Sequence, residues 1–441
     1  MATRVVIVRH GESTFNVQER VQGQLNDISL LTEKGEAMAL NVGDAIADIP
    51  FDAAYCSPLK RAHRTAELVL TKTIAKPALQ VDDLIKEVYL VAWEGLTFKE
   101  VQDGYPEQYQ QWRKEPHLLT MQTAEGKDFR PIHDLQDRAA TFWQKVLPQH
   151  KDQTILIVGH SGINRALINS AIGLGPDAYQ RFDQGNCGIS ILNFTGGFGD
   201  PVQIESLNLT AHMGHPIPKP RHDQAIRLLL VRHGETQWNR EGRFQGQIDI
   251  PLNDNGRVQA SQAGTFLKDV AIDAAVTSSM ARPKETAELI LKHHPGVELK
   301  TTEILWEISH GLWEGKLEKE IEAEYPGLLQ EWQAHPEKVQ MPEGENLDDV
   351  WQRAVEGWDG IVKAAKPGTT TLVVAHDAIN KAILCYLAGL GPQSFWNFKQ
   401  GNGAVSVIDY NHGPEEKPML RALNITVHLG GVLDKTAAGA L

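Results

Sequence analysis

The sequence predicts two tandem α/β units, each a three-layer α/β/α domain with a mostly parallel central sheet covered by helices on both faces. Three observations carry this reading. Short apolar runs alternate with helix-spaced segments along the chain, the pattern of a parallel sheet with helical crossovers. The run Val5 to Val8, followed by Arg9-His10-Gly11-Glu12, recurs as Leu228 to Val231 followed by Arg232-His233-Gly234-Glu235. The later elements recur in the same order, so the 441 residues read as one fold used twice and not as the about three domains that length alone suggests.

In the first unit, Val5 to Val8 is a short apolar run that reads as a buried strand. Thr32 to Ile49 has helical spacing, with Ala39, Val42, Ile46 and Ile49 on one face. Phe51 to Cys56 reads as a strand, and a helix follows from Leu59 to Leu70. Leu79 to Val81 comes next, then helical stretches near Tyr105 to Arg113 and Ile132 to Val146, then the strongly β-prone Thr154 to Val158. Gly162 to Ile172 returns to helix, and Gly173-Leu174-Gly175-Pro176 breaks it. Gly188 to Phe194 and Val202 to Leu209 alternate in polarity and close the unit as strands.

The second unit repeats this order from Arg227 to about Leu429, with Thr371 to Val374 as the late strand and Gly389-Leu390-Gly391-Pro392 as the break. The expected boundaries are a first domain over 1–210, a linker over 211–225, a second domain over 226–432 and a disordered tail over 433–441. Pro216, Pro218 and Pro220 make the linker fairly stiff. His212, His215 and His222 read as solvated linker residues, because their spacing matches no zinc pattern.

Forty-three basic residues against fifty-six acidic ones give a formal charge of −13, which opposes binding to nucleic acid or to an anionic membrane. An anionic ligand therefore has to be captured by a local cationic pocket. Cys56, Cys187 and Cys385 are too few for a disulfide framework and lack metal-ligand spacing, which points to a reducing compartment. No signal peptide is expected, since Met1 to Val8 enters a strand directly, and no apolar run approaches membrane-spanning length. The expectation is a cytoplasmic protein. Oligomeric state is not legible.

The polar residues that recur sit where chemistry is expected. An Arg-His pair at the carboxyl end of a core strand lies where open α/β sheets place ligands. The arginine never loses its charge, and the histidine beside it is placed to attack an anionic group. A second basic element aligns Ser57-Pro58-Leu59-Lys60-Arg61 with Ser278-Ser279-Met280-Ala281-Arg282, each arginine opening a helix just after a strand, a suitable seat for phosphate. Glu87 and Glu307 occupy equivalent places ahead of Trp93-Glu94-Gly95 and Trp313-Glu314-Gly315. A carboxyl beside a phosphate has its proton affinity raised by the like charge and can donate to a leaving oxygen. His160 in Gly159-His160-Ser161-Gly162 matches His376 in Ala375-His376-Asp377-Ala378. The separations between equivalent residues drift only from 223 to 221, 220 and 216, so the whole set recurs in one order.

Together these motifs resemble the histidine phosphatase superfamily, the phosphoglycerate-mutase-like branch, over nearly all of both halves. The second half looks most like the metal-independent phosphoserine and α-ribazole phosphatase subgroup. The resemblance implies that His10 and His233 become phosphohistidines, and that Arg9, Arg61 and His160, with Arg232, Arg282 and His376, bind the phosphoryl group. It implies Glu87 and Glu307 as proton donors, and Asn16 and Asn239 as further phosphate contacts. The expected function is hydrolysis of small-metabolite phosphomonoesters at an active site in each domain, with no cofactor and no metal. Isomerisation of phosphoglycerates is one alternative; a catalytic half served by a phospholigand-binding or dimerising half is another.

The halves differ at two places. Val91 stands where the other half has Gly311, and glycine permits backbone conformations that valine resists, so the sequence leaves the loop geometry of the first site open. Pro342-Glu343-Gly344-Glu345-Asn346 is similar to a Pro-x-Gly-Glu-Ser segment of the phosphatases, with Asn346 for serine, whereas the first half has Glu125 to Arg130. Lys127 and Arg130 read as a solvated loop, with a grip on a second anionic group as the alternative. Trp306, Trp313, Trp332, Trp351, Trp358 and Trp396 crowd the second half, and core packing is the expected role for most.

Overall fold

Apolar, β-branched runs such as Val5 to Val8 have no accessible surface and form the innermost strands, because only a fully paired backbone can be buried at no hydrogen-bond cost. In the computed structural model, which describes residues 2–436, the chain divides after His215 into two compact units.

The first unit runs β1 (Thr3–Arg9), α1 (Thr14–Val17), α2 (Glu33–Ala45), β2 (Ala53–Cys56), α3 (Lys60–Lys72) and β3 (Leu79–Val81). It continues through α4 (Phe98–Gly104), α5 (Pro106–Lys114), a small hairpin of β4 (Met121–Gln122) and β5 (Asp128–Phe129), and α6 (Pro131–Val146). It ends with β6 (Thr154–Gly159), α7 (Ser161–Ala171), β7 (Ile189–Phe194) and β8 (Val202–Leu209). The sheet order is β8-β7-β1-β6-β2-β3, with β1, β6, β2 and β3 parallel and β7 and β8 antiparallel. Helix α2 packs on α3 and α6 on α7, so the sheet is flanked by helices as expected.

The second unit repeats the plan: β9 (Ile226–Arg232), α8 (Gln237–Glu241), α9 (Asp254–Leu267), β10 (Ala274–Ser278), α10 (Ala281–Leu291) and β11 (Leu299–Thr302). Then come α11 (Glu318–Glu324), α12 (Leu328–Ala334), α13 (Leu347–Ala364), β12 (Thr370–Ala375), α14 (Asp377–Ala388), β13 (Val405–Tyr410) and β14 (Met419–Ile425). Its order is β11-β10-β12-β9-β13-β14. Helices α4 and α11 and the hairpin β4–β5 were not expected from periodicity, being too short and too polar to show one.

Two readings of the chain ends need correction. His212 is not solvated: its Nε2–H donates to the Cys187 carbonyl at 2.9 Å, and burial pulls its pKa down to about 4. His428 does the same with Gly403 at 3.1 Å, so this turn is part of the repeat and closes each unit. Next, residues 433–436 are held in place. Lys399 pairs with Asp434 at 3.3 Å, and the Asn402 amide donates to Thr436 Oγ1 at 3.2 Å. Residues 437–441 of the expected tail lie outside the described residues. The linker carbonyls of Pro218 and Lys219 accept from Arg227 and Arg421, both fixed by the fully buried Asp409. Trp313, Trp332 and Trp358 are core residues, whereas Trp306, Trp351 and Trp396 stay partly exposed. Among the described residues no helix is long and apolar enough to cross a membrane.

Candidate active site

Three adjacent parallel strands end side by side. In the register of β1 with β6, Arg9 faces Gly159, so His10 and His160 are the first residues past the same sheet edge. The His10 amide donates to the Gly159 carbonyl at 3.0 Å, and the two imidazoles stand edge to face with centroids 5.1 Å apart. Neighbouring β2 delivers Ser57, whose hydroxyl is 2.8 Å from His160 Nε2. The second unit repeats each detail: Arg232 faces Ala375, His233 and His376 are 5.3 Å apart, and Ser278 lies 2.9 Å from His376 Nε2. Residues separated by about 150 positions therefore meet because strand order brings β6 beside β1.

The nucleophile candidates are fixed at one nitrogen. His10 Nδ1 lies 2.7 Å from the Gly11 carbonyl, which can only accept, so Nδ1 carries the proton and Nε2 keeps its lone pair. His233 has the same 2.7 Å contact with Gly234. Burial, then Arg61 and Arg9, hold the His10 imidazole well below its ordinary pKa; burial, then Arg282 and Arg232, do this for His233. Both rings are therefore neutral at neutral pH, each with a lone pair on Nε2.

The arginines from the helix starts are held rigidly. Arg61 donates to the carbonyls of Leu25 and Gly23 at 2.8 and 2.7 Å, leaving its Nε buried without a partner. Arg282 donates to Ile248 and Gly246 at 3.1 and 2.7 Å, and its Nε points to His233 Nε2 at 3.3 Å. Nδ1 of His160 and of His376 is likewise buried and unpartnered. Fixed donors converging on one imidazole make a seat for a tetrahedral oxyanion. Asn16 and Asn239 serve the same corner: each Oδ1 caps its short helix and accepts from Asn186 or Asn402, whose amides also hold the His10 or His233 carbonyl.

Glu87 and Glu307 close the far side. The Glu87 carboxyl accepts from the amides of Val88, Gly162 and Ile163 at 2.8, 3.1 and 3.2 Å, at the N-terminus of α7. Glu307 accepts from Ile308, Asp377, Ala378 and Ile379 at the start of α14. Amide donors favour the anion, yet burial and the neighbouring Asp377 carboxylate raise the proton affinity of Glu307 on balance. Asp377 stands where the first unit has Ser161, and it pairs with Arg232 at 3.4 Å and Lys381 at 2.7 Å.

Several participants escaped the sequence reading. Arg138 and Arg353 donate to the backbone carbonyls around the acids, Arg138 to Leu84, Lys86 and Glu87, Arg353 to Ile304, Trp306 and Glu307. Gln24 and Gln247 hold the Glu87 and Glu307 carbonyls at 3.1 Å, and Glu94 and Glu314 fix the loop behind them. Internal alignment pairs most of these residues, but nothing in their type marks them as supports. Asn346 turns out to be the N-cap of α13, a role in which asparagine and serine are interchangeable.

At Val91 the loop keeps the turn of its counterpart. Val91 adopts φ +39°, the same left-handed turn that Gly311 makes at +55°, so the backbone is kept and the valine is strained. Lys127 and Arg130 are exposed on the β4–β5 hairpin, consistent with a solvated loop.

A family model described as Histidine phosphatase superfamily (branch 1) matches residues 5–207 and 228–425. The chain is similar to a 2-carboxy-D-arabinitol-1-phosphatase of Triticum aestivum, at 30% identity over 455 residues, covering 97% of this chain and 87% of that protein. It is similar to Phosphoserine phosphatase 1 of Hydrogenobacter thermophilus, at 35% identity over 205 residues, covering 46% of this chain and 95% of that protein. Among solved structures, the alpha-ribazole phosphatase of Shigella flexneri matches at 28% identity with a TM-score of 0.41, over 45% of this chain and 96% of that one.

Proposed function

The chain belongs to the histidine phosphatase superfamily, branch 1, and we propose that each of its two units hydrolyses phosphomonoesters of small metabolites through a phosphohistidine. The observation that carries this reading is the tautomer lock. With Nδ1 bonded to the Gly11 carbonyl, His10 Nε2 offers a neutral lone pair inside a cluster of fixed cationic donors.

In the first half-reaction, Nε2 bonds to phosphorus while the ester P–O bond breaks. Arg9, Arg61 and His160 face the charge that spreads over the three equatorial oxygens. Glu87 gives its proton to the departing alkoxide. In the second half-reaction, water attacks phosphorus, Glu87 takes back a proton and the P–N bond breaks. His233, Arg232, Arg282, His376 and Glu307 act likewise, with Asn16 and Asn239 on the same oxygens. Because fixed guanidinium groups supply the positive charge, the reaction as proposed needs no metal.

The test uses His10→Ala and His233→Ala, alone and together, on a panel of phosphate esters with a chelator present. Each single variant is expected to silence one site and to leave a distinct substrate profile, and the double variant to be inactive. Rapid quench with labelled substrate is expected to trap acid-labile phosphohistidine at the surviving site. Isomerised phosphoglycerate in place of free phosphate would refute hydrolysis, and absent phosphohistidine in one single-site chain would assign that unit to binding instead.

A further inference from the structure

The turn just past each proton-donor candidate is where the units part. In the second unit, residues 342–345 close tightly on residues 309–312: Leu312 donates to the Pro342 carbonyl at 2.9 Å, Glu345 to Ser309 at 2.9 Å, and the Ser309 amide to Glu345 Oε2 at 2.8 Å. The closure depends on two glycines. A Cβ on Gly311 would lie 2.1 Å from the Pro342 carbonyl oxygen and 2.5 Å from the Gly344 nitrogen, and a Cβ on Gly344 would lie 2.5 Å from the Ser309 oxygen. Each of these contacts is backbone, which cannot swing away.

The first unit places a β-branched side chain at that point. Val91 holds the turn at φ +39°, a conformation valine resists, so the surrounding structure imposes it. Its segment before α6 is instead the β4–β5 hairpin, which meets the turn through the rings of Phe129 and Tyr89, centroids 5.8 Å apart. Among the described residues no hydrogen bond joins residues 123–130 to residues 89–92. In the second unit the closing segment also supplies the carboxylate on Arg353 Nε, Glu345, whereas in the first unit Arg138 Nε donates to Asp134 of its own helix α6.

We propose that position 91/311 sets leaving-group size: Gly311 lets residues 342–345 wall the leaving-group side of the second site, while Val91 wedges the first site open to bulkier alcohols. The inference rests on the phosphatase reading, because the leaving group is placed by the acid that protonates it. The second site then takes esters of about three-carbon alcohols, and the first also takes esters of sugar or nucleoside size.

The test compares kcat/KM for glycerol 3-phosphate, glucose 6-phosphate and adenosine 5′-phosphate in the full-length single-site chains. The large-to-small ratio is expected to be at least about tenfold higher in the His233→Ala chain, which reports the first site, than in the His10→Ala chain. Adding Gly311→Val to the His10→Ala chain is expected to raise its ratio about tenfold. Gly344→Ala, which opens the closure from the opposite side without a left-handed residue, is expected to do the same if the valine variant fails to fold. Folded variants with unchanged ratios overturn this proposal alone. No phosphate release from any ester in either chain overturns the phosphatase reading and this proposal with it.

Discussion

Glu87 and Glu307 hold equivalent places beside the starts of α7 and α14. Glu87→Gln and Glu307→Gln keep side-chain volume but remove the transferable proton, so turnover at the altered site is expected to fall by about 10²–10⁴. Inhibition by inorganic phosphate should stay within a few-fold, because the arginines proposed to hold it are untouched; steady-state kinetics on single-site chains checks both. Asp377 offers a second test. Burial and then its carboxylate raise the proton affinity of Glu307. Asp377→Ser copies the first unit and removes the like charge. The alkaline limb of the kcat/KM profile is expected to move to lower pH in the His10→Ala chain, and an unmoved limb would separate Asp377 from Glu307.

At the scale of elements, the turns carry the individuality and the strands carry the likeness. The parallel trio β1, β6 and β2 presents histidine, histidine and serine at one edge, and β9, β12 and β10 do so again. A left-handed valine costs about 1–3 kcal/mol. Glycine in its place recovers that strain but costs about 0.5–1 kcal/mol in unfolded-state entropy. Val91→Gly is therefore expected to stabilise the protein by about 1 kcal/mol in urea unfolding. Loss of stability would mean that the valine side chain contributes packing that outweighs its strained backbone.

For the whole molecule, acid sensitivity follows from how many imidazoles the fold keeps neutral. His10, His160, His233 and His376 are depressed well below their ordinary value, His310 lies at about 3, and His212 and His428 at about 4, in each case chiefly through burial. An unfolded histidine takes up its proton near pH 6.5, so between that value and the lower folded values the unfolded chain binds more protons. Stability is then complete above about pH 6.5 and declines as pH falls below it. Thermal unfolding between pH 8 and pH 5 is expected to show a falling Tm over the lower half of that range. The formal charge of −13 also leaves the attraction of an anionic ligand to local cationic clusters such as those around Arg61 and Arg282.

The doubling, the α/β plan and the recurring set of Arg9, His10, Arg61, Glu87 and His160 with their partners 216–223 residues on were legible in the chain alone, because buried strands announce themselves by apolar runs and rare polar residues at their ends stand out. So was the Val91/Gly311 difference, though not its outcome. Folding was needed to show that His212 belongs to a closing turn, that residues 433–436 are tied down, and that Ser57, Gln24 and Arg138 support the site. Those roles depend on which carbonyl or ring nitrogen lies within about 3 Å in the folded chain, a relation between distant segments that no local pattern encodes. The same holds for Val91: propensity argues against a left-handed valine, and the packing around the turn overrides it.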